Sequence, residues 1–548
     1  MNNVYITFEN GETKTFSDGM SYYDIISTEG LEKEVIGVVV NEKVTNLGDK
    51  PQGRVSIKYI RKNETNGRRM YEAGLKMMFE CATHNVFPDI TVKYSYDCPH
   101  GLIARFITDY AVSKEDFDKI EKEVKRITLQ NEVIKKKYLK NAEGIKYYKM
   151  NNNDVKLKNI QNITDTMIVL YKLEEITNYY YYEMPYRTGI VDQYNIYYVG
   201  ENIVFLNYPT MYDDKLITTE DNYRKIFQAY QWGESWLDIQ KLPYINNVND
   251  LISAGKIKDF IKTCELKFNA EIERCAEDIY NKPDVKFILL AGPSSSGKTT
   301  CTSRLASYLK VFGKKPVVVS IDDYYKERVD SPKDENGKYD FECPEATDTE
   351  YFLSDMQKLL NGEEVQLPIF NFITGCKELK GPKIKLDEDS ILLFEGINAL
   401  HPSVLTSIDD SKKYYIYVSP YIPLCIDQQN YISTEDLRLI RRIVRDFRTR
   451  GYSVEASLES WGRVRMGEEK HILPQIHRAN KVINTSLAYE VGVLKILAAP
   501  LLLSVPASSE WYGEARRLSS FLKQFFTINS EYVPEDSIIR EFIGGRND

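Results

Sequence analysis

Residues 287–300, FILLAGPSSSGKTT, carry an apolar run into a turn of glycine and serine, then a lysine and two threonines. Gly292, Gly297, Lys298 and Thr299 satisfy G-x4-G-K-[ST]. Glycines let a backbone curl until successive N–H groups converge, and the helix expected from Lys298 onward directs its positive end to the same point. The chemistry such a turn performs is phosphate binding. Gly292, Pro293, Ser294, Ser295, Ser296, Gly297, Lys298, Thr299 and Thr300 are therefore expected to cradle the phosphates of ATP or GTP. Lys298 is placed to reach the β- and γ-phosphates, and the Thr299 hydroxyl to bind Mg2+. An N-K-x-D at 281–284 has the form of a guanine reader, but it lies just before the first strand of this region, so Asn281 and Asp284 read as turn residues.

What becomes of a bound phosphate depends on the groups that face it. The stretch SIDDYY, 320–325, places Asp322 and Asp323 at the end of an apolar strand. A carboxylate there, beside the phosphate loop, can take a proton from an attacking hydroxyl. Adjacent strand residues point to opposite faces, so only one of the two is expected at the site. A Mg2+ ligand or a helix cap is the plainer role for such an acid. ILLFEGINAL, 391–400, delivers Glu395 to the sheet edge, where a ligand to Mg2+ or its water is expected, with a simple turn carboxylate as the alternative. DLRLIRRIVRDFRTRG, 436–451, sets Arg438, Arg441, Arg442 and Arg445 on one helix face, extended by Arg448 and Arg450. Guanidiniums so crowded repel one another unless an anion neutralises them. Transferring phosphates would do so, making this helix part of a lid. A solvated face paired with Asp436 and Asp446, or an RNA contact, are the alternatives.

These groups need a scaffold, and the sequence outlines one. From 285 onward, VKFILLAG, KPVVVSIDD, ILLFEGI, YYIYVSP, KVINTS and APLLLSVP are apolar strands separated by helical segments. That pattern predicts an α/β domain over 283–548, a parallel sheet with helices on both faces. Residues 1–60 read as a small strand-rich unit, with a hairpin at Asn10-Gly11, a short helix stopping near Gly30 and a strand pair turning near Asn41 and Glu42. Residues 61–215 read as α+β, with a helix in RRMYEAGLKMMFECATHN and later Tyr-rich strands, including NYYYYEMPYRTGIV, while MNNNDVKLKN (150–159) reads as a surface loop or a subdomain seam. Residues 216–282 read as a helical connector.

Asp and Glu (80) outnumber Lys and Arg (72), and the net charge of -8 argues against a polyanion binder as a whole while leaving a local basic surface open. The start, MNNVYITFEN, lacks the basic and apolar regions of a signal peptide, and no run approaches the ~18 apolar residues of a membrane span. The eight cysteines include no C-x-x-C, as expected of reduced thiols in a cytoplasmic protein. Cys81, His84, Cys98 and His100 cluster in sequence, but their spacings fit no common zinc pattern.

GPSSSGKT, SIDDYY, CPEATD, LPIFNF, FEGI and RRIVRDFRTRG, in this order between 285 and about 490, resemble the uridine kinase/phosphoribulokinase family of P-loop kinases. The resemblance implies Asp322 as general base, Glu395 at the metal, and Arg442, Arg445 and Arg450 as lid arginines. It also implies Phe370 and Phe372 lining a nucleoside pocket, and Glu342 on ribose hydroxyls. Three positions depart from uridine kinases: Glu342-Cys343 stands where Asp-His is usual, Gly375 where a base-reading His falls, and Tyr452 where an Arg falls. Catalysis is thus expected to be kept and base reading altered. Residues 1–60 resemble a TGS domain of β-grasp fold, and 61–215 resemble the second domain of threonyl-tRNA synthetase, without its H-x-x-x-H, whose place is taken by YEAGL (71–75). This three-part order resembles bacterial two-part nucleoside kinases, in which the front half would be a degenerate binding or regulatory module. The implied activity is Mg2+- and ATP-dependent phosphorylation of a nucleoside, at the ribose 5′-OH. A kinase of a sugar or other small hydroxyl compound, and a nucleotide-dependent RNA-binding regulator, are the competing readings. A nucleoside-like small molecule is the expected partner and no membrane is; RNA binding by the front half and a homo-oligomer are left open.

Overall fold

The computed structural model describes residues 3–98, 100–162, 166–211, 216, 221–334, 337–371, 374–406 and 408–545. The first unit comprises β1 (Asn3–Thr7), β2 (Thr13–Ser17), α1 (Tyr22–Thr28), β3 (Val35–Val40), β4 (Lys43–Asn46) and β5 (Arg54–Arg61). Its five strands run in the order β2-β1-β5-β3-β4, with β1 and β5 parallel and the other pairs antiparallel. Asn41 and Glu42 both take the left-handed conformation at the β3–β4 turn, as a tight hairpin requires.

The second unit follows: α2 (Thr65–Val86), β6 (Thr91–Cys98), β7 (Gly101–Ile107), α3 (Lys114–Gln130), β8 (Lys135–Lys140), α4 (Asn141–Met150), α5 (Asp154–Asn162), β9 (Met167–Leu173), β10 (Ile176–Asn178), β11 (Asn195–Gly200) and β12 (Ile203–Asn207). Two local expectations fail here. The Asn-rich segment is a loop only at its start, because Asp154 onward forms α5, which buries Lys156, Asn159 and Ile160. The Tyr-rich segment is a strand only to Asn178. Its tyrosines instead make contacts across the chain: Tyr180 with Glu80, Tyr181 with the Arg517 carbonyl, and Tyr182 with Asp436.

Helices α6 (Asp221–Ile239), α7 (Ile245–Ser253) and α8 (Ile257–Tyr280) lead into the C-terminal half. There the elements are β13 (Phe287–Ala291), α9 (Lys298–Val311), β14 (Lys315–Ser320), α10 (Thr349–Leu360), β15 (Val365–Gln366), β16 (Ile369–Asn371), β17 (Cys376–Glu378), β18 (Lys383–Ile384), β19 (Ser390–Glu395), β20 (Lys413–Ser419), α11 (Thr434–Arg450), α12 (Val454–Gly467), β21 (Lys481–Asn484), α13 (Glu490–Leu503), α14 (Tyr512–Lys523) and α15 (Arg540–Ile543). Five strands pair in parallel in the order β14-β19-β13-β20-β21. Both faces of this sheet are buried, which is why β13, β19 and β20 read as unbroken apolar runs. APLLLSVP, expected as a sixth strand, is instead the end of α13 and its exit. A short apolar run does not distinguish a buried strand from a buried helix.

One face packs against α8, whose Phe260, Phe268 and Ile272 share a core with Ile288, Leu290 and Leu305. The other packs against Tyr230 of α6 and against Tyr96, Ile103, Ile203 and Phe205 of the second unit. The C-terminal half is therefore clad by residues from earlier in the chain. Among the described residues no helix is long and apolar enough to cross a membrane.

Candidate active site

The turn between β13 and α9 has the geometry its sequence predicts. A Cβ on Gly292 would lie 2.4 Å from the Val418 carbonyl oxygen, so no side chain fits there. Gly297 sits at φ 84°, the left-handed region, as the cap of α9. Ser295 is also left-handed, at φ 61°, a costly state for a residue with a Cβ. Alternating hands of this kind turn peptide N–H groups toward one centre. Lys298 Nζ rests 3.4 Å from the Pro293 carbonyl oxygen, at the loop it is placed to serve.

Three carboxyls gather beside this turn, Glu395 buried and Glu342 and Asp322 half-buried. Glu395, last residue of the central strand β19, is 9% exposed. Its Oε1 accepts from the Thr299 hydroxyl at 3.4 Å, and its Oε2 is buried without a hydrogen-bond partner. Burial pushes this carboxyl up to about 7; Lys298 opposes the shift, and Asp322 and Glu541 add to it. Glu342 also has a buried, unpartnered Oε2 and is likewise pushed up to about 7 by burial, with Arg442 and Lys298 opposing. Asp322 Oδ1 accepts from the Ile397 backbone N–H at 3.3 Å, and burial raises its carboxyl above the usual range despite Lys298.

Asp322 and Asp323 do part company, but not by strand alternation. Ile321–Tyr324 is a 3-10 turn, and Ser320 is the last strand residue. Asp322 faces the phosphate loop and β19, while Asp323 Oδ1 accepts from the Phe370 backbone N–H at 3.0 Å. Asp323 thereby fixes the β16–β17 hairpin. Phe370 is buried edge-on to Tyr325, with ring centroids 5.6 Å apart; Phe372 lies outside the described residues. Gly375 donates no side chain to its surroundings, and Arg328 fills the space, 2.7 Å from where a Cβ would stand.

The arginine helix is not the single anion-facing surface its spacing predicts. Leu437, Leu439, Ile440, Ile443 and Val444 bury α11 in the core. Arg438 and Arg441 are 1% and 0% exposed and pair with Glu468 and Glu490, each at 2.7 Å. Arg438 Nε donates to the Ser294 carbonyl at 3.0 Å, and Arg441 Nη1 to the Ser295 carbonyl at 3.3 Å. Both act on the back of the phosphate loop, so neither serves in a lid. Arg448 donates to the carbonyls of Glu541 and Phe542. Arg442 does reach the site, donating from Nη1 to Ser294 Oγ at 3.0 Å. Arg442, Arg445 and Arg450 surround the fully buried Asp446 at 3.3, 2.8 and 3.4 Å. Mutual repulsion is thus relieved by a buried carboxylate.

Two groups at the site gave no signal in the sequence. Thr485, just past β21, donates from Oγ1 to the Ser296 carbonyl at 2.5 Å. Glu541, on the last short helix, accepts from Thr300 Oγ1 at 2.8 Å and from the Thr300 N–H at 3.4 Å.

Residues 287–490 match the Phosphoribulokinase / Uridine kinase family. The chain is 29% identical to uridine kinase of Borrelia duttonii (strain Ly) over 230 residues, 42% of this chain and 100% of that protein. It is 29% identical to uridine kinase of Macrococcus caseolyticus (strain JCSC5402) over 212 residues, 38% of this chain and 93% of that protein. The solved structure of a possible uridine kinase from Bacillus stearothermophilus is similar over 40% of this chain and 100% of that chain, at 17% identity and a TM-score of 0.27. The C-terminal half thus holds a kinase domain of the uridine kinase/phosphoribulokinase family.

Proposed function

We propose that this chain transfers the γ-phosphoryl group of ATP to a hydroxyl of a nucleoside, at the ribose 5′-OH, with Mg2+. The observation that carries the reading is the convergence of Asp322, Glu342 and Glu395 on the Lys298 loop within a domain of kinase ancestry. The 292–300 loop binds the ATP phosphates. Asp322, raised by burial and held by the Ile397 N–H, takes the proton from the acceptor hydroxyl. Glu342 holds the acceptor's ribose hydroxyls, and Phe370 walls its base. Arg442, Arg445 and Arg450 turn from Asp446 to the phosphates as charge moves between them.

The orphaned Glu395 Oε2 and the adjacent Thr299 hydroxyl fit a hard cation that takes oxygen ligands. Bound there, Mg2+ would neutralise phosphate charge. Kinase ancestry supports ATP as donor.

A second reading is favoured by Arg328, which occupies the space where uridine kinases carry a base-reading His. A guanidinium in that wall suits an acceptor bearing a carbonyl or an anionic group, such as a modified nucleoside or a sugar derivative. For the front half, the β2-β1-β5-β3-β4 order with a helix between strands supports the TGS-like, β-grasp reading of 1–60. We read 61–215 as the synthetase-like unit, 216–282 as the connector and 283–548 as the kinase domain.

The test is to incubate the full chain with Mg2+, γ-labelled ATP and a panel of nucleosides and small hydroxyl compounds. Labelled nucleoside monophosphate is expected. Label only in a non-nucleoside product would move the acceptor to the second reading, and label only in inorganic phosphate would remove the transferase.

A further inference from the structure

We propose that Arg438, Arg441 and Thr485 are positioning residues that aim the N–H groups of the phosphate loop before any nucleotide arrives. The inference rests on the reading that this loop binds ATP phosphates. A trans peptide is planar, so its C=O and the next residue's N–H point in opposite directions. Fixing three successive carbonyls therefore fixes three successive N–H directions. The carbonyl of Ser294 is held by Arg438 Nε at 3.0 Å, that of Ser295 by Arg441 Nη1 at 3.3 Å, and that of Ser296 by Thr485 Oγ1 at 2.5 Å. All three clasps come from the side of α11 and β21. The N–H groups of Ser295 and Gly297 consequently face away from that side, into the cradle. The N–H of Ser296 closes a turn on the Pro293 carbonyl at 3.2 Å and locks the loop's curvature.

Three features separate this role from ordinary core packing. Ser295 is held at φ 61°, which an L-residue adopts only where its surroundings over-determine it. Here the carbonyls on both sides of that residue are gripped. The two guanidiniums are also neutralised, by Glu468 and Glu490, so they bring no net charge to the phosphates and act by direction alone. Finally, Arg441 Nη2 donates to the Thr485 carbonyl at 3.0 Å, tying two of the clasps into one unit. Arg438, Arg441 and Thr485 thus differ from Arg442, which reaches the open side of the loop through Ser294 Oγ.

The test compares the full-length wild type with Thr485→Val, Thr485→Ser and Arg438→Lys. Thr485→Val keeps the shape and removes one donor, and Thr485→Ser restores it. Arg438→Lys keeps a cation for Glu468 and gives up the Ser294 bond. Calorimetric titration with Mg-ATP is expected to show about fivefold weaker binding in Thr485→Val, the scale of one lost hydrogen bond, with Thr485→Ser near wild type. Arg438→Lys should weaken binding similarly, with the KM of the acceptor unchanged in all three. Hydrogen exchange without nucleotide should quicken at Ser295–Gly297 in Thr485→Val. Wild-type ATP affinity and exchange in a folded Thr485→Val, or no rescue by Ser, would overturn the proposal. Should Thr485→Val not fold, Arg438→Lys decides by the same readouts. A wild type that binds no ATP would instead sink the kinase reading, and the exchange comparison would still judge the clasp.

Discussion

Asp97, at the end of β6 in the second unit, accepts hydrogen bonds from the backbone N–H of Thr434 at 3.0 and 3.1 Å, and its Oδ2 accepts from the Ser433 hydroxyl at 2.8 Å. A front-half carboxylate thus caps α11, the helix whose arginines grip the phosphate loop. The same turn is tied a second time, because Asp436 pairs with Arg517 at 2.6 Å and lies 3.8 Å from Arg69. The cap is expected to matter to nucleotide binding as well as to stability. Asp97→Ala should cost about 1 kcal/mol, as a lost cap does. It should also speed hydrogen exchange in the first turn of α11 and raise the KM for ATP, with little change in that for the acceptor. Frayed α11 with unaltered ATP kinetics would mean that the halves are joined there without being coupled.

The pH dependence follows from the buried carboxyls. Glu342 and Glu395 are pushed up to about 7 against an ordinary 4.5, burial being the main cause. The native state therefore keeps protons that the unfolded chain has released, so these groups stabilise below the unfolded value and lose that contribution as pH rises to about 7. Glu265 and Glu271 are raised by burial and act with the same sign. Carboxyls lowered by ion pairing, such as Glu468 and Glu514, act below the usual carboxylate range and leave this window alone. The melting temperature without ligand should fall between pH 5 and 7. The Mg2+ needed for half-maximal turnover should fall over the upper part of the same range as Glu395 ionises, and Glu395→Gln should raise and flatten that requirement. A ligand-free melting temperature that climbs toward pH 7 would contradict the assignment.

The scaffold was more legible than the contacts. Strands β13, β19 and β20 are unbroken apolar runs because helices cover both sheet faces, and the phosphate loop announces itself because no side chain fits at Gly292 beside the Val418 carbonyl. The arginine helix shows the limit. Spacing at i, i+3 and i+4 places residues on one face, but cannot say that the turn of Arg438 and Arg441 meets the back of the loop while Arg442 meets its open side. The tyrosines at 180–182 have strand propensity, yet their hydroxyls are used across the chain on Glu80, Arg517 and Asp436, and tertiary contacts override local preference. Thr485 reads as an ordinary residue after a strand, since its partner lies 189 positions away.

Substitution at the paired aspartates should separate their roles. Asp322→Asn keeps the shape and the Ile397 bond but cannot take a proton, so turnover should fall by about 10^2 to 10^4 with Mg-ATP affinity near normal. Asp323→Asn still offers an oxygen to the Phe370 N–H and should change turnover little. Asp323→Ala removes that anchor and should raise the acceptor KM instead. Steady-state kinetics on the three variants decide the matter. A larger loss of kcat at Asp323 than at Asp322 would reverse the assignment.

Glu541 sets the last expectation. Its Oε2 lies 2.8 Å from Thr300 Oγ1 and 3.4 Å from the Thr300 N–H, in the first turn of α9, where free N–H groups meet phosphate oxygens. The segment carrying it is held firmly, because Ile538 packs against Gly297, Arg448 grips the carbonyls of Glu541 and Phe542, and Arg441 lies 4.8 Å from the Phe542 ring centroid. A carboxylate thus occupies a donor that a nucleotide phosphate would use, and its charge also raises Glu395. Glu541→Gln keeps the shape and removes the charge. It should tighten Mg-ATP binding by about fivefold at low salt, the ~1 kcal/mol scale of one like-charge contact at about 4 Å in water, and less as ionic strength rises. It should also lower the pH at which Glu395 ionises. Equilibrium titration at two salt concentrations measures the first effect, and the pH profile of the Mg2+ requirement measures the second. Weaker ATP binding in Glu541→Gln would show that the carboxylate supports the first turn of α9 rather than competing with the nucleotide.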